Sequence, residues 1–383
     1  MKPPLSLYVH LPWCVQKCPY CDFNSHAAGD SAPRGRYLDA LLRDLENEAS
    51  RASGRKIGSV FLGGGTPSLF SADEIARLLN GVHRFFDVDT GAEITMEANP
   101  GTVECGDPAG YRDAGVNRLS FGGQSFNDET LKKIGRIHSS ADIVRAVEEA
   151  RAAGIANINI DLMHGLPGQD IEAALADLRA AMELEPAHLS WYQLTLEPNT
   201  IFFARPPEDM PDDEMAWEIQ DRGQALLAAS GYAQYEVSAY CRDRQRCQHN
   251  LNYWLFGDYL AAGAGAHGKI SNERGVFRYI KPANPLQYMV SFESAASETA
   301  LMPVSDADLV FEFMLNALRL NDGFSEAIFE ERTGISPEAL SGIMRRAREK
   351  GLVLRGRNAV WRATLQGRRF LNDLQAEFLP ESH

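Results

Sequence analysis

Residues 5–21 read Leu5-Ser6-Leu7-Tyr8-Val9-His10-Leu11-Pro12-Trp13-Cys14-Val15-Gln16-Lys17-Cys18-Pro19-Tyr20-Cys21. A short β-rich run, Leu5–His10, leads into a loop that packs three cysteines into eight residues. Three thiolates on one loop can hold three irons of a cubane [4Fe–4S] cluster and leave the fourth iron open to an exogenous ligand. A zinc site normally takes four protein ligands. His10 and His26 are near enough in sequence to complete a Cys3His set, so spacing alone leaves zinc and plain structural thiols open. A disulfide framework does not suit six cysteines in 383 residues without a secretory signal.

Outward from that loop, β-rich runs alternate with amphipathic helical patterns, the signature of a parallel sheet with crossover helices. The strands are expected at Leu5–His10, Ser59–Leu62, Glu93–Glu97, Arg118–Phe121, Asn157–Leu162 and His188–Leu194. Helices are expected at about 37–50, 72–85, 139–153 and 170–183, the second opened by a Ser71/Glu74 capping box and the last by Asp170. The fold class is therefore α/β, six βα units forming a partial barrel or an open sheet. In either case the site forms at the C-terminal strand ends. Those ends carry the cysteine loop, then Gly63-Gly64-Gly65-Thr66-Pro67, Glu97-Ala98-Asn99-Pro100, Gly122-Gly123-Gln124-Ser125-Phe126, and Asp161 with Gly165-Leu166-Pro167. The glycine run alone would signal only a tight turn. Polar residues and glycines at all of these ends would share one rim.

Past residue 199 the alternation stops at a proline-rich stretch, followed by a helical segment at about 213–229. Residues 247–269 combine His249 and His267 with aromatics and small residues. A last unit has helices at about 305–319, 324–332 and 337–350, a hairpin of Leu352–Arg355 with Val360–Arg362, and a helix from Thr364, an order that suggests a winged-helix-like module. Its segment 341–369 carries nine cationic side chains against Glu349 alone, while the whole chain has a net charge of −14. That overall charge disfavours a nucleic-acid or anionic-membrane surface for the molecule as a whole. No apolar stretch is long enough to span a bilayer, and the chain reads as cytoplasmic.

With these residues in view, the chain resembles radical S-adenosylmethionine (SAM) enzymes. The strings Leu7-Tyr8-Val9-His10-Leu11-Pro12-Trp13-Cys14, Gly63–Pro67, Glu97–Pro100, Gln124-Ser125-Phe126, Gly135-Arg136-Ile137-His138 and Asp161-Leu162-Met163-His164-Gly165-Leu166-Pro167 resemble the oxygen-independent coproporphyrinogen III oxidase family, from about residue 5 to 370. Within it the nearer resemblance is to the HemW branch, the heme chaperones. The oxidases carry a fourth cysteine in CxxxCxxCxC where this chain has Phe23, and His249-Asn250-Leu251-Asn252-Tyr253-Trp254 matches a His-Asn-x-x-Tyr-Trp signature of the chaperones. Two departures stand out: Gly123 replaces a usual Val, which loosens the strand beside Gln124, and Cys105-Gly106-Asp107-Pro108 breaks a helix start.

The resemblance implies that Cys14, Cys18 and Cys21 bind the cluster and that SAM closes the fourth iron through its amino and carboxylate groups. Tyr8, Tyr20 through its backbone, Gly64, Gly65 and Thr66 would line the SAM site, with Glu97 and Asp161 as acidic contacts and Gln124 and Arg136 as polar ones. Heme would be the cargo, held in a cleft lined by Tyr253, Trp254 and Tyr259, with His249 the first candidate axial base and His267 the second. The partners implied are heme and heme-acceptor apoproteins, with no nucleic acid and no membrane span; a homodimer is left open. The domains implied are a radical SAM core at 1–235, a connecting segment at 236–302 and a C-terminal HemN-like unit at 303–378. Two other functions stay open at this stage. One is oxidative decarboxylation of coproporphyrinogen III propionates by the radical SAM core, against which Phe23 speaks. The other is nucleic-acid binding by the basic winged-helix-like segment.

Overall fold

The computed structural model describes residues 2–29, 32–101, 106–293 and 299–380; Cys105 lies outside them. Six strands pair in parallel in chain order: β1 (Leu5–Leu11), β2 (Ile57–Gly64), β3 (Val88–Ala98), β4 (Arg118–Gln124), β5 (Asn157–His164) and β6 (His188–Gln193). Between them run α1 (Arg34–Ala52), α2 (Ala72–Phe85), α3 (Pro108–Ala114), α4 (Ser140–Ala152) and α5 (Ile171–Glu183), and α6 (Asp213–Ala229) follows the last strand. This is the (βα)6 arrangement of a partial barrel. Ser71 Oγ accepts from Glu74 N while Glu74 Oε2 accepts from Ser71 N, closing the capping box, and Asp170 Oδ1 accepts from Ala173 N at 2.8 Å. Helix α3 opens at the string expected to break it: Asp107 caps it by accepting from Ala109 N, Pro108 takes the first helical position, and Gly115 ends it after seven residues at φ 113°.

Strand alternation explains the layering. Leu5, Leu7, Val9, Leu11, Val60, Leu62, Leu119, Phe121, Ile158 and Ile160 are all buried in one apolar core with the helices. The intervening residues belong to the opposite face, and that face is polar. Ser6 and Ser59 hydrogen-bond at 2.8 Å, Asn159 Nδ2 reaches Ser120 Oγ and Asp161 Oδ1, and His188 Nδ1 meets Asn159 Oδ1 at 2.6 Å. Closed eight-stranded barrels fill this space with apolar side chains. A concave face built of Ser, Asn, Asp, Glu and Arg instead frames a cavity.

The sheet continues on both sides of the six strands. Beyond β6 come β8 (Ala239–Cys241) and then β7 (Ala233–Glu236), both antiparallel. Beyond β1 lies β9 (Asp258–Ala262), parallel to it, then β10 (His267–Asn272), β11 (Gly275–Ile280) and β12 (Met302–Pro303). The stretch 236–302, expected as a connection, thus connects by extending the sheet. Its β9 reads Asp-Tyr-Leu-Ala-Ala, a composition poor in β-branched residues, so tertiary pairing rather than local preference makes it a strand. Helix α7 (Gln248–Trp254) packs on β2, β1 and β9.

The C-terminal unit has helices Asp306–Ala317, Glu326–Thr333 and Ser341–Glu349 and a three-stranded sheet of Phe324–Ser325, Val360–Ala363 and Val353–Arg355. Phe313, Met314, Phe329, Met344, Trp361 and Leu374 form a second core there, which Phe256 and Val276 join from the preceding stretch. The helices and wing hairpin foreseen from the sequence are present. Among the described residues, three of the nine cations in the basic segment form ion pairs: Lys350 with Glu377, Arg355 with Glu326 at 2.9 Å, and Arg369 with Asp221 at 3.5 Å.

Candidate cofactor and ligand site

The cysteine loop is fastened to its neighbours by backbone bonds. Thr66 N donates to Trp13 O at 2.7 Å, Gly65 N to Leu11 O at 2.8 Å, His26 N to Pro12 O at 2.7 Å and Ala28 N to Cys14 O at 2.8 Å. The glycine run is what permits the first two. A Cβ on Gly65 would stand 2.6 Å from Trp13 O, and one on Gly64, at φ 113°, would stand 2.3 Å from the His10 ring. The turn is therefore a packing surface for the loop as well as a strand end.

Cys14, Cys18 and Cys21 line a cavity of about 120 Å³ together with Tyr20, Gly64, Gly65, Thr66, Glu97, Gln124, Arg136 and Asp161. The rim foreseen from strand ends is thus assembled in one place. Arg136 is its hub: one amino group donates to Cys18 Sγ at 3.5 Å, the other to Asn99 Oδ1 at 2.7 Å and Gly122 O at 2.8 Å. Gln124 sits at φ 67°, just past a register shift at Gly122–Gln124 where Gly123 falls, and its Oε1 accepts from Tyr192 OH at 2.8 Å. Burial pushes the Glu97 carboxyl up to about 7, against a hydrogen bond from Gly64 N and with a further upward push from Asp161. Burial also raises Asp161, whose hydrogen-bonded neighbours Ser190, Asn159 and Ser120 oppose the shift. Two half-buried carboxylates that resist ionisation make a site for a cationic ligand.

The donor chemistry fits a cubane. No disulfide joins the three cysteines. His10 uses Nδ1 toward Tyr8 OH and Nε2 toward Asn24 O, both at 2.9 Å, while His26 Nε2 meets Asn24 Oδ1 at 3.2 Å, so neither is directed to the thiols as a fourth zinc ligand. Among the described residues no three His, Cys, Asp or Glu side chains converge on a single point. A cubane asks its thiolates to surround a volume, one iron each, which suits this loop better than one ion.

A second cavity of about 720 Å³, within the roughly 300–1,000 Å³ range of ligand pockets, adjoins the first. Phe23, Gly64, Glu97, Ser120 and Asp161 border both. Tyr8, expected at the SAM site, lines this larger space, as do His249, Tyr253, Trp254, Tyr259 and His267. Tyr253 meets Tyr259 edge-on at 4.5 Å and His249 at 4.8 Å. His249 is 1 % exposed, with Nδ1 at 3.1 Å from Ser59 Oγ and Nε2 at 2.8 Å from Tyr253 OH; burial, helped by Arg118, lowers it to about 3. Both its ring nitrogens are thus committed. His267, the first residue of β10, is exposed and lies on the same cavity.

Sequence reasoning passed over Asn99, Tyr192, Arg118 and the Ser120–Asn159 pair. Asn99 stood inside a quoted string but bridges Arg136 to Thr66 Oγ1 at 3.0 Å, a link no spacing reveals. Arg118 was legible in principle, since Arg118-Leu119-Ser120-Phe121 alternates with period two and puts the cation on the concave side.

Residues 8–181 match the radical SAM superfamily and residues 304–370 the HemN C-terminal domain. The chain is 47 % identical to the heme chaperone HemW of Haemophilus influenzae over 99 % of both chains. It is also 47 % identical to that of Escherichia coli over 99 % of both, and 33 % identical to that of Bacillus subtilis over 98 % of this chain and 99 % of the other. Among solved structures, the E. coli coproporphyrinogen III oxidase HemN, described as a radical SAM enzyme, superposes with a TM-score of 0.82 at 25 % identity, covering 98 % of this chain and 90 % of that one.

Proposed function

The chain belongs to the HemW family of heme chaperones, built on a radical SAM core, and from that membership we propose that it binds heme in the larger cavity and passes it to acceptor apoproteins. The observation that carries this reading is identity over essentially the whole length of several chaperones, at 47 % for two of them. Phe23 supports it. It stands where the oxidases have their fourth cysteine, and here it is 59 % exposed between the two cavities.

Cys14, Cys18 and Cys21 would hold three irons of a [4Fe–4S] cluster, and SAM would close the fourth. A cluster of this kind supplies one-electron reduction of the SAM sulfonium. Around it, Glu97 and Asp161 suit the ammonium and ribose hydroxyls of SAM, and the Arg136 fork suits its carboxylate. Tyr20, Gly64, Gly65, Thr66 and Gln124 would complete that wall, with Tyr8 between SAM and the larger cavity. Tyr253, Trp254 and Tyr259 would give a porphyrin plane its apolar side. His267 is the axial base we favour, because both nitrogens of His249 are already bonded.

We divide the chain into a radical SAM core at 1–235, a sheet-extending connection at 236–302 and a C-terminal unit at 303–378, a division supported by an apolar core distinct from that of the barrel, to which the connection adds Phe256 and Val276. We place the protein in the cytoplasm; among the described residues no helix is long and apolar enough to cross a membrane. The test is a heme titration by absorbance on the wild type, His267→Ala and His249→Ala, beside an anaerobic coproporphyrinogen III assay. Stoichiometric heme binding, a Soret band altered by His267→Ala, and no protoporphyrinogen IX are expected. Robust protoporphyrinogen IX formation would falsify the chaperone reading in favour of the oxidase; an unaltered Soret band in His267→Ala would remove that residue as ligand.

A further inference from the structure

Arg118, at the foot of β4, lines the larger cavity and is 2 % exposed. Among the described residues no hydrogen bond reaches its guanidinium; Nε is buried without a partner, and the nearest carboxylate oxygen, Glu93 Oε2, is 4.0 Å away. The other oxygen of Glu93 is occupied elsewhere. This Oε1 accepts from Gln248 N at 2.9 Å, His249 N at 3.2 Å and Cys247 Sγ at 3.5 Å, capping the start of α7. A guanidinium whose Nε is buried without an acceptor, and whose one ion-pair partner stands at 4.0 Å, is costly unless something else supplies an acceptor.

The other cations on this cavity differ. Lys269 is paired with Asp258 at 3.0 Å, and Arg278 is held by Glu312 and Tyr259. Arg118 alone among the three has no hydrogen-bond acceptor. It also lies deep. In the β4–β5 register Gly122 faces Asp161, and Arg118 is four residues further down, about 13 Å at the usual rise of a parallel strand. A SAM carboxylate directed at Arg136 would not reach it.

We propose that Arg118 receives a carboxylate of the cavity's ligand, so that a propionate arm of the porphyrin extends down the barrel and is read there by a bidentate contact. This rests on the heme-binding reading above. It makes Arg118 a specificity-determining residue, one that distinguishes a porphyrin by its acid side chains rather than by its iron.

The test compares heme with heme dimethyl ester, which keeps the ring and the metal and removes both carboxylates, on the cluster-loaded protein. Wild type should bind heme at least about tenfold tighter than the ester, the ratio worth one charge-assisted hydrogen bond. Since Arg118 also balances the buried Glu93, the variants are Arg118→Gln and the charge-neutral pair Glu93→Gln/Arg118→Gln, with folding checked by circular dichroism. In the double variant heme should weaken to within about twofold of the ester while ester affinity stays put. A wild type that binds both porphyrins equally, or a folded double variant that still discriminates, overturns the proposal. If free acetate or excess SAM abolishes discrimination in the wild type, Arg118 serves a small carboxylate and the proposal is wrong. A wild type that binds neither porphyrin sinks the functional reading itself, and this inference with it.

Discussion

Two regions bury charge in opposite ways. Where α1 meets the strands beyond β1, Lys281 lies between Asp44 at 2.6 Å and Glu48 at 2.7 Å, and the remaining oxygens of those carboxylates accept from Tyr288 at 2.7 Å and Tyr279 at 2.6 Å. Each carboxylate is answered from both sides. On the concave face of the barrel, among the described residues, Glu97 accepts one hydrogen bond, from Gly64 N, and Arg118 makes none. The first pattern fixes the added strands to the helical layer. The second leaves hydrogen-bonding atoms of charged groups without partners, which a ligand can supply. Saturated buried charge is architecture here, and unsaturated buried charge marks where a ligand belongs.

The comparison can be broken at its extremes. The largest effect should follow Cys14→Ala, Cys18→Ala or Cys21→Ala. After anaerobic reconstitution the wild type should hold about four irons and four sulfides per chain, and each variant essentially none. Cys241→Ala and Cys247→Ala should keep the full complement. Iron retained in a loop variant would remove the cysteine loop from the site. Next in size, Lys281→Met should lower stability in urea by about 3–5 kcal/mol, because it removes the cation that two buried carboxylates share and leaves Asp44 without one, Glu48 keeping only Arg51. Iron content per folded chain should not change; a loss of cluster with normal stability would erase the distinction between the regions.

The smallest effects belong to the rim. Glu97→Gln and Arg136→Ala should each weaken SAM binding by about 1–3 kcal/mol, measured calorimetrically on cluster-loaded protein. The pH dependence sharpens this. Burial raises the folded Glu97 carboxyl to about 7 from its ordinary 4.5. Between those values the folded state binds the extra proton, so this group's contribution to stability falls as pH rises from about 4.5 to about 7. The carboxylate that SAM's cation needs forms over the upper part of the same window. SAM affinity should therefore rise with pH through about 7 in the wild type and rise less in Glu97→Gln, and identical profiles would take Glu97 out of the contact.

Much of this was legible in the chain because strand ends in a βα repeat share one rim, so Cys14, Gly64, Glu97, Gln124, Arg136 and Asp161 could be gathered from topology alone. The strands beyond β1 were not. Ala261 and Ala262 are buried because β1 and β10 enclose them, and nothing in their own side chains announces it. The expected order of the heme candidates also turned on three-dimensional facts. The string around His249 attracts attention, yet Tyr253 lies one helical turn on and takes its Nε2, and Ser59 on β2 takes its Nδ1. Depth was the other hidden quantity: a period-two pattern gives the side of the sheet for Arg118 but not the absence of an acceptor around it.

The parallel pairing of Leu5–Val9 with Asp258–Ala262 joins the first strand to one that the ribosome makes about 250 residues later. Until then β1, which carries the cysteine loop at its end, has one neighbour and one bare backbone edge. Such an edge invites pairing with other chains. A nascent chain stalled before residue 258 would hold its cysteine loop next to an unfinished sheet. Synthesis of β9 is thus the step that seals the loop's strand, and iron delivered earlier would meet a half-built edge rather than the finished barrel.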